Sequence, residues 1–216
     1  MIPNSIRQLS CDEIALDELD GSSRIARFAS DELGPLVPDD ARIITFDGFN
    51  GVGKSTLARH LATKLNVPIL ELDDFLNRQQ DRFLEALDFP QLSSEVGGAL
   101  DTYNRVIVEG CLVEAALERV DQRSNFRFYV MQTTRMRSNP DDEWVREHDI
   151  LYGDASTETV IAELQEVARR AKQLPEEFGG GGSGDLPNLE RENILYHRAR
   201  RPHDRADIIV KIVHWS

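Results

Sequence analysis

Short apolar runs alternate along the chain with segments of helical periodicity. Five runs are rich in β-branched or aromatic residues and have the length of buried strands. They are residues 43–47, 68–72, 105–110, 126–131 and 206–213. Helical periodicity is clearest in three other segments, which are residues 56–65, 112–119 and 157–174. Strands that alternate with helices predict an α/β fold, with a mostly parallel five-stranded sheet and helices on both faces.

The segment before the first predicted strand has a different pattern. Residues 1–41 are rich in Asp and Glu, and only residues 23–33 have the periodicity of an amphipathic helix. Gly34-Pro35 and Pro38 are expected to end that helix. We therefore expect residues 1–41 to form an N-terminal helical appendage, and residues 42–216 to form the main domain.

A glycine-rich segment interrupts the second half of the chain. Residues 179–184 read Gly-Gly-Gly-Gly-Ser-Gly. Such a segment has almost no side chains to pack and is typical of a flexible connector. Both an engineered linker and a natural glycine-rich loop fit this composition.

Composition limits the class of protein. A chain of 216 residues with 40% hydrophobic residues is large enough for one α/β domain with a sizeable core. It has no apolar run of membrane-spanning length and no visible secretory signal, so we expect a cytoplasmic protein without membrane partners. Cys11 and Cys111 are expected to be reduced thiols, and the five histidines show no metal-ligand spacing.

The charge balance is strongly acidic. The formal net charge is −13, which argues against nucleic-acid partners because such a surface repels a phosphate backbone. Local arginine clusters therefore stand out. There are two of them, Arg135/Arg137 and Arg198/Arg200/Arg201.

The segment Gly48–Ser55 carries the most specific motif. Its sequence, Gly-Phe-Asn-Gly-Val-Gly-Lys-Ser, fits the phosphate-binding pattern G-x-x-x-x-G-K-[ST] in full. It lies between the predicted strand 43–47 and the predicted helix 56–65, where such a loop must lie. The fold prediction thus becomes a P-loop NTPase, built as a three-layer sandwich.

Each position of this loop has a physical role. Glycines allow a sharp turn and a close approach of the backbone to a ligand, and the free amides at the following helix end attract an anion. Lys54 can reach the β- and γ-phosphates of ATP, and the Ser55 hydroxyl can bind Mg²⁺. The predicted nucleotide-binding residues are Gly48, Asn50, Gly51, Val52, Gly53, Lys54, Ser55 and Thr56.

Acidic residues follow two of the other predicted strands. Asp73 and Asp74 come after strand 68–72, where a carboxylate could orient a substrate hydroxyl and accept its proton. Either aspartate could instead cap the next helix. Glu109 ends the strand at 105–110 in the Walker B arrangement and would help to bind Mg²⁺. The alternative is a glutamate that simply faces solvent.

Arginines follow the fourth predicted strand, in a segment at about 133–150 that we interpret as a partly helical lid. Arg135 and Arg137 could stabilise the negative charge that develops during phosphoryl transfer, and Arg146 lies further along the same segment. A solvated helix face would explain these arginines equally well. Trp144 is expected to pack on the apolar face of a lid helix.

These motifs together resemble the P-loop small-molecule kinases that include uridine kinase, nicotinamide riboside kinase, phosphoribulokinase and pantothenate kinase. The resemblance is carried by residues 48–55, by Asp73-Asp74-Phe75 and by residues 106–110. It implies that Asp73 is the base. Residues 87–90 resemble a segment whose aspartate holds a ribose hydroxyl in uridine kinases, which implies a substrate role for Asp88. The closing residues 196–210 are also similar, but the group's usual lid motif, Arg-x-x-Arg-Asp, is not found.

The sequence therefore favours an ATP- and Mg²⁺-dependent phosphotransferase. Its predicted catalytic residues are Lys54, Asp73, Arg135 and Arg137, with Asp74 and Asp88 at the hydroxyl-bearing acceptor. An ATP-binding regulatory or partner-binding module with weak catalysis is the main alternative. A GTPase switch is less favoured, because no Asn-Lys-x-Asp motif follows the fourth strand. The identity of the small-molecule acceptor and the oligomeric state, including a homodimer, stay open.

Overall fold

The computed structural model describes residues 6–10, 13–17, 32–77, 80, 82–136, 139–145, 147–173 and 184–215. The strands are β1 (Ile6–Ser10), β2 (Glu13–Asp17), β3 (Ile43–Asp47), β4 (Ile69–Glu71), β5 (Val106–Glu109), β6 (Phe126–Met136), β7 (Asn139–Val145) and β8 (Ile208–Trp215). The helices are α1 (Lys54–Leu65), α2 (Phe83–Ala86), α3 (Phe89–Tyr103), α4 (Val113–Arg119), α5 (His148–Leu151), α6 (Thr157–Lys172) and α7 (Asn188–Arg200).

All eight strands belong to one sheet, whose order is β1-β2-β8-β6-β3-β5-β4, with β7 paired to β6. The pairs from β2 to β4 along this order are parallel, and β1 and β7 are antiparallel to their neighbours. Phe46 of β3 lies opposite Glu109 of β5, which lies opposite Glu71 of β4. The carboxyl ends of these three strands are therefore level, and the loops that follow them meet at one edge.

Helices cover both faces of the sheet, as predicted. Alternate residues of a strand point to opposite faces. Ile44 and Phe46 pack in one buried cluster with Leu57 and Leu61 of α1. Ile43 belongs to a second cluster that contains residues of α3 and α4. The result is the predicted α/β sandwich, with the sheet between two helical layers.

The five predicted strands are all present, but β6 continues five residues beyond its predicted end at residue 131, and the described sheet has eight strands instead of five. Two of the additional strands, β1 and β2, come from the segment predicted to be a helical appendage. They add to the sheet edge through the parallel pairing of β2 with β8. Both carry charged residues and are only five residues long, so their apolar pattern is weak.

The predicted helical lid is corrected by the third additional strand. The chain continues along β6 to Met136 and returns as β7, so a β-hairpin occupies most of residues 133–145. Thr134 lies opposite Trp144 in this hairpin, and Trp144 is 59% exposed instead of packed on a helix. Extended pairing with β6 decides the structure here, because local periodicity in an acidic segment is a weak determinant.

Some predictions fall on residues outside the described part of the chain. This is true of residues 23–31 of the predicted N-terminal helix and of residues 179–183 of the glycine-rich segment. The proposed division at residue 41 stays a prediction. Within the described residues, no helix is both long enough and apolar enough to cross a lipid bilayer.

Candidate functional site

The phosphate-binding motif forms the turn between β3 and α1. Gly48, Gly51 and Gly53 have φ values of 141°, 75° and 93°, in the region that favours glycine. The helix begins at Lys54, directly after Gly53. The first backbone amides of α1 have no hydrogen-bond acceptor within the helix. They lie at the carboxyl edge of the sheet. This is the backbone arrangement that binds phosphate.

Gly48 is also required by close packing against backbone, whereas Gly53 lies close to the end of a side chain that can shift. A Cβ atom on Gly48 would lie 2.2 Å from the carbonyl oxygen of Val130, which belongs to the neighbouring strand β6. A Cβ atom on Gly53 would lie 2.9 Å from Cδ1 of Ile212 in β8. The loop thus lies directly against β6 and β8, the two strands that follow β3 on one side of the sheet.

Lys54 is folded back into the loop. Its side chain is 6% exposed, and Nζ donates a hydrogen bond of 2.8 Å to the carbonyl oxygen of Phe49. Nζ also lies 3.8 Å from Sγ of Cys111. The ammonium group is therefore held inside the turn, where it can meet a phosphate group bound by the loop amides.

The other predicted nucleotide-binding residues play mixed structural roles. Oδ1 of Asn50 accepts a 2.8 Å hydrogen bond from the thiol of Cys111, and Val52 is fully buried. Gln132 of β6 donates to the carbonyl oxygen of Gly51 at 3.0 Å. Thr56 is exposed at the start of α1.

Ser55 and Glu109 lie together, as the Walker B interpretation requires. Glu109 is only 4% exposed at the end of β5, and its carboxylate accepts a hydrogen bond from the Ser55 side chain. Burial raises the pKa of Glu109, while Ser55 and Lys54 lower it. A hydroxyl and a carboxylate beside a phosphate site fit Mg²⁺, which takes few protein ligands and completes its shell with substrate and water. The described residues contain no cluster of three or more His, Cys, Asp or Glu side chains suited to a metal.

Asp73 and Asp74 lie in a short 3₁₀ turn, Leu72–Phe75, that follows β4. Both side chains are exposed. Burial raises the pKa of Glu109 and of the Cys111 thiol, and the negative charge of Asp73 adds to both shifts, so Asp73 lies within electrostatic reach of Glu109. Arg59 forms a 2.5 Å ion pair with Glu71, which raises the pKa of its guanidinium. The negative charge of Asp74 raises the same pKa further.

For the remaining predicted site residues, the structure either shows another contact or gives no side-chain position. Asp88 is the N-cap of α3, where Oδ1 accepts a 2.9 Å hydrogen bond from the amide of Gln91. Arg135 belongs to β6, but its side chain lies outside the described part of the structure, as do Arg137 and Arg146 entirely. The roles proposed for these residues stay predictions.

A buried aspartate at the base of the loop was not predicted. Asp47, 4% exposed, accepts a 2.7 Å hydrogen bond from the amide of Gly48 and a 2.5 Å hydrogen bond from the Tyr196 hydroxyl. Burial raises the pKa of Asp47 to about 7, although both hydrogen bonds lower it. An acid that ends a buried apolar strand was visible in the sequence, but its partner is 149 residues away.

His197 packs against Phe49, a residue of the loop. Its ring stacks on Phe49 with a centroid distance of 4.0 Å, and Nδ1 lies 2.8 Å from the carbonyl oxygen of Asn193. Because a carbonyl can only accept, Nδ1 carries the proton. Burial lowers the pKa of His197 to about 3, so the ring is neutral at ordinary pH. Helix α7 therefore contacts both Asp47 and Phe49.

Comparisons with known proteins add little to this geometry. No protein-family model and no curated protein matches the chain. A solved structure described as a possible uridine kinase from Bacillus stearothermophilus is similar with a TM-score of 0.44 and 13% identity, over 85% of this chain and 98% of that one. The shikimate kinase of Bacteroides thetaiotaomicron has a TM-score of 0.31 and 16% identity, over 78% of this chain and 84% of that one. Likeness at this level assigns no substrate to the chain.

Proposed function

We propose that this protein transfers the γ-phosphate of ATP to a hydroxyl group of a small metabolite. The observation that carries the proposal is the pairing of Ser55 with the buried carboxylate of Glu109 beside Lys54. A phosphate-binding loop alone would fit any nucleotide-binding protein. The exposed carboxylate of Asp73 near the same edge is what favours transfer to an acceptor.

The donor half of the site would bind the triphosphate through the amides of residues 48–55. Lys54 would neutralise charge on the β- and γ-phosphates without leaving the loop. Ser55 and Glu109 would hold Mg²⁺, which supplies positive charge to the phosphate oxygens when bound. The partly raised pKa of Glu109 is consistent with a buried acid that gains from a nearby cation.

The acceptor half would be built around Asp73. Its carboxylate would orient the acceptor hydroxyl and take its proton as the oxygen attacks the γ-phosphorus in line, while the bond to the β-phosphate oxygen breaks and ADP leaves. Asp74, Asp88, Arg135 and Arg137 are proposed contacts of the acceptor or of the transferred group. The resemblance of residues 73–75 to the kinase group named above supports this assignment.

A coupled ADP-release screen tests the proposal. The wild-type protein is assayed with ATP·Mg²⁺ and uridine, cytidine, nicotinamide riboside, pantothenate or simple sugars, and Asp73→Asn is then assayed with the active acceptor. We expect Asp73→Asn to lower kcat by about 10²- to 10⁴-fold, the range for loss of a general base. ATP binding, measured by calorimetry, should stay intact.

Asp101→Asn is the matched control, because Asp101 is an exposed carboxylate on α3, away from the loop. Its kcat should equal that of the wild type. Full turnover by Asp73→Asn would remove this residue as the base. ATP binding without ADP formation from any acceptor would instead favour the regulatory or partner-binding module.

A further inference from the structure

A groove of about 750 Å³ lies on the outer surface between α2, α4 and α7. It does not include the phosphate-binding loop, Asp73 or Glu109. Its charged lining consists of four arginines and two glutamates. They are Arg82, Arg119, Arg191, Arg200, Glu85 and Glu192.

The groove holds more unpaired positive charges than unpaired negative ones. Arg119 and Arg191 form no ion pair with any residue that the structure describes. Glu85 is already paired with Arg82 at 3.0 Å. Glu192 forms no ion pair with a described residue: Oε2 accepts a hydrogen bond of 3.2 Å from the amide of Phe83, and Oε1 is buried without a hydrogen-bond partner. Two unpaired guanidinium groups therefore face one unpaired carboxylate, which leaves the groove with an excess of positive charge.

The two paired arginines can also be recruited by a ligand. Arg82 and Glu85 are 69% and 61% exposed, and Arg200 pairs with Glu118 at 2.7 Å with exposures of 41% and 46%. Ion pairs this exposed contribute little to stability. Either guanidinium can therefore turn towards a carboxylate or phosphate group at small cost, and its planar fork matches both groups.

Apart from Asn188, the other side chains that line the groove are mainly apolar. Leu112, Ala115 and Tyr196 are buried beneath it, and Leu195 is 47% exposed at its side. A bare inorganic ion would leave this apolar surface in contact with water. An organic body with an anionic group would cover it and meet the arginines as well.

Size and net charge narrow the class of ligand further. The volume is within the range of small-molecule sites, which is roughly 300–1,000 Å³. A polyanion such as nucleic acid would meet repulsion from a chain whose net charge is −13, whereas a small anion would feel mainly the local arginines. We propose that the groove between α2, α4 and α7 binds a small organic anion with a carboxylate or phosphate group.

Calorimetric titration with matched probes tests this site. Benzoate and phenyl phosphate carry the two anionic groups on an apolar ring, and benzamide is the neutral match. We expect saturable binding of at least one anion and at least about tenfold weaker binding of benzamide, because hydrogen bonds to charged groups are the strong ones. The double variant Arg119→Gln/Arg191→Gln should weaken anion binding by about tenfold or more.

Control variants separate this site from the phosphate-binding loop. Arg169→Gln/Arg170→Gln removes two exposed arginines from α6 and should leave anion binding unchanged. Lys54→Met should also leave benzoate binding unchanged, whatever it does to ATP binding. Thermal unfolding of each variant shows that it is folded.

Three results would overturn the proposal. They are binding of both anions no tighter than that of benzamide, anion binding that survives the Arg119→Gln/Arg191→Gln double variant, and anion binding that disappears in Lys54→Met. Failure of the ADP-release screen would not bear on it, because none of these titrations depends on phosphate transfer.

Discussion

At the scale of single residues, two buried groups with opposite titration behaviour lie under the phosphate-binding loop. Asp47 is buried with its pKa raised to about 7, and His197 is buried with its pKa lowered to about 3. The folded protein binds more protons than the unfolded chain at Asp47, and fewer at His197. Their contributions to the pH dependence of stability therefore have opposite signs.

The sign at each residue fixes the pH window. The stability contributed by protonated Asp47 is fully present below the unfolded pKa of 3.8 and is lost as pH rises to about 7. The cost of keeping His197 neutral is greatest at low pH and disappears as pH rises from about 3 to 6.5. Between about pH 4 and 6.5 the two effects largely cancel, since each is at most about 1.4 kcal/mol per pH unit.

Separate substitutions should reveal each effect. We expect the unfolding free energy of Asp47→Asn to rise with pH relative to that of the wild type between pH 4 and 6.5. That of His197→Phe, which keeps a ring against Phe49, should fall relative to wild type over the same range. Urea unfolding at pH 4, 5, 6 and 7 measures both differences. Parallel profiles for all three proteins would contradict the assignment.

A second prediction at this scale concerns the turn itself. Gly48→Ala places a methyl group against the Val130 carbonyl oxygen at a φ of 141°. We expect a loss of about 2 kcal/mol or more in unfolding free energy, and loss of nucleotide binding, because strand β6 or the loop must move. Urea unfolding and ATP calorimetry measure the two losses.

Gly98→Ala is the control for this substitution. Gly98 lies in α3, and a Cβ atom there would meet no heavy atom within 4 Å. It should stabilise the protein by about 0.5–1 kcal/mol. A neutral Gly48→Ala would show that the loop does not need the close approach to β6.

Site residues differ in how far they can be predicted from sequence. Lys54, Ser55 and Glu109 could be predicted as site residues because loop spacing and strand ends fix their positions locally. Asp47 was visible only as the last residue of an apolar strand. Its role depends on Tyr196, and no local pattern connects these two residues.

At the scale of elements, α7 links several parts of the molecule around the site. It contacts the loop through Tyr196 and His197, and it holds α2 through the bond from the Phe83 amide to Glu192. The Arg198 guanidinium donates to backbone carbonyls of residues 149–155, including those of Ile150 and Gly153 at 3.3 and 3.4 Å. The segment after the β6–β7 hairpin is thus fixed to the same helix as the loop.

Removal of this guanidinium should loosen one segment specifically. We expect Arg198→Met to lower the unfolding free energy by about 1–3 kcal/mol, because several carbonyl oxygens lose a charged donor. Amide hydrogen exchange should become faster in residues 149–155 and stay unchanged in α1.

The control is Arg201→Met, since the Arg201 side chain is exposed and pairs with Asp204 at 2.5 Å. It should change stability by less than about 0.5 kcal/mol. Equal exchange rates in both variants would contradict a clamp at Arg198.

At the scale of the whole molecule, two hydrophobic clusters lie on opposite faces of one sheet. Phe128 is fully buried in the cluster that contains α1, and Leu92 is fully buried in the cluster that contains α3. Both clusters include residues of β3 and β5. We therefore expect them to unfold together, as one cooperative unit.

Truncation on either face tests this expectation. Phe128→Ala should cost about 3–5 kcal/mol and Leu92→Ala about 2–5 kcal/mol, from lost burial and the cavity left behind. Each should shift a single urea transition that is the same by circular dichroism and by tryptophan fluorescence. Val167→Ala, at a position that is 60% exposed, should shift it by less than about 0.5 kcal/mol. Two separated transitions would show that the layers fold independently.

Features that depend on local spacing could be predicted from the chain alone. These are the alternation of strands and helices, the turn at residues 48–55, and the acids at the ends of β4 and β5. The strands and helices follow from the periodicity of apolar residues, and the turn follows from the backbone conformations that glycine allows. The acids follow directly after predicted strands. The other features appear only in the folded structure: the strands β1, β2 and β7, the hairpin in place of a lid helix, the Tyr196–Asp47 hydrogen bond and the groove between α2, α4 and α7. These depend on contacts between distant segments, whose free energy no short stretch of sequence contains.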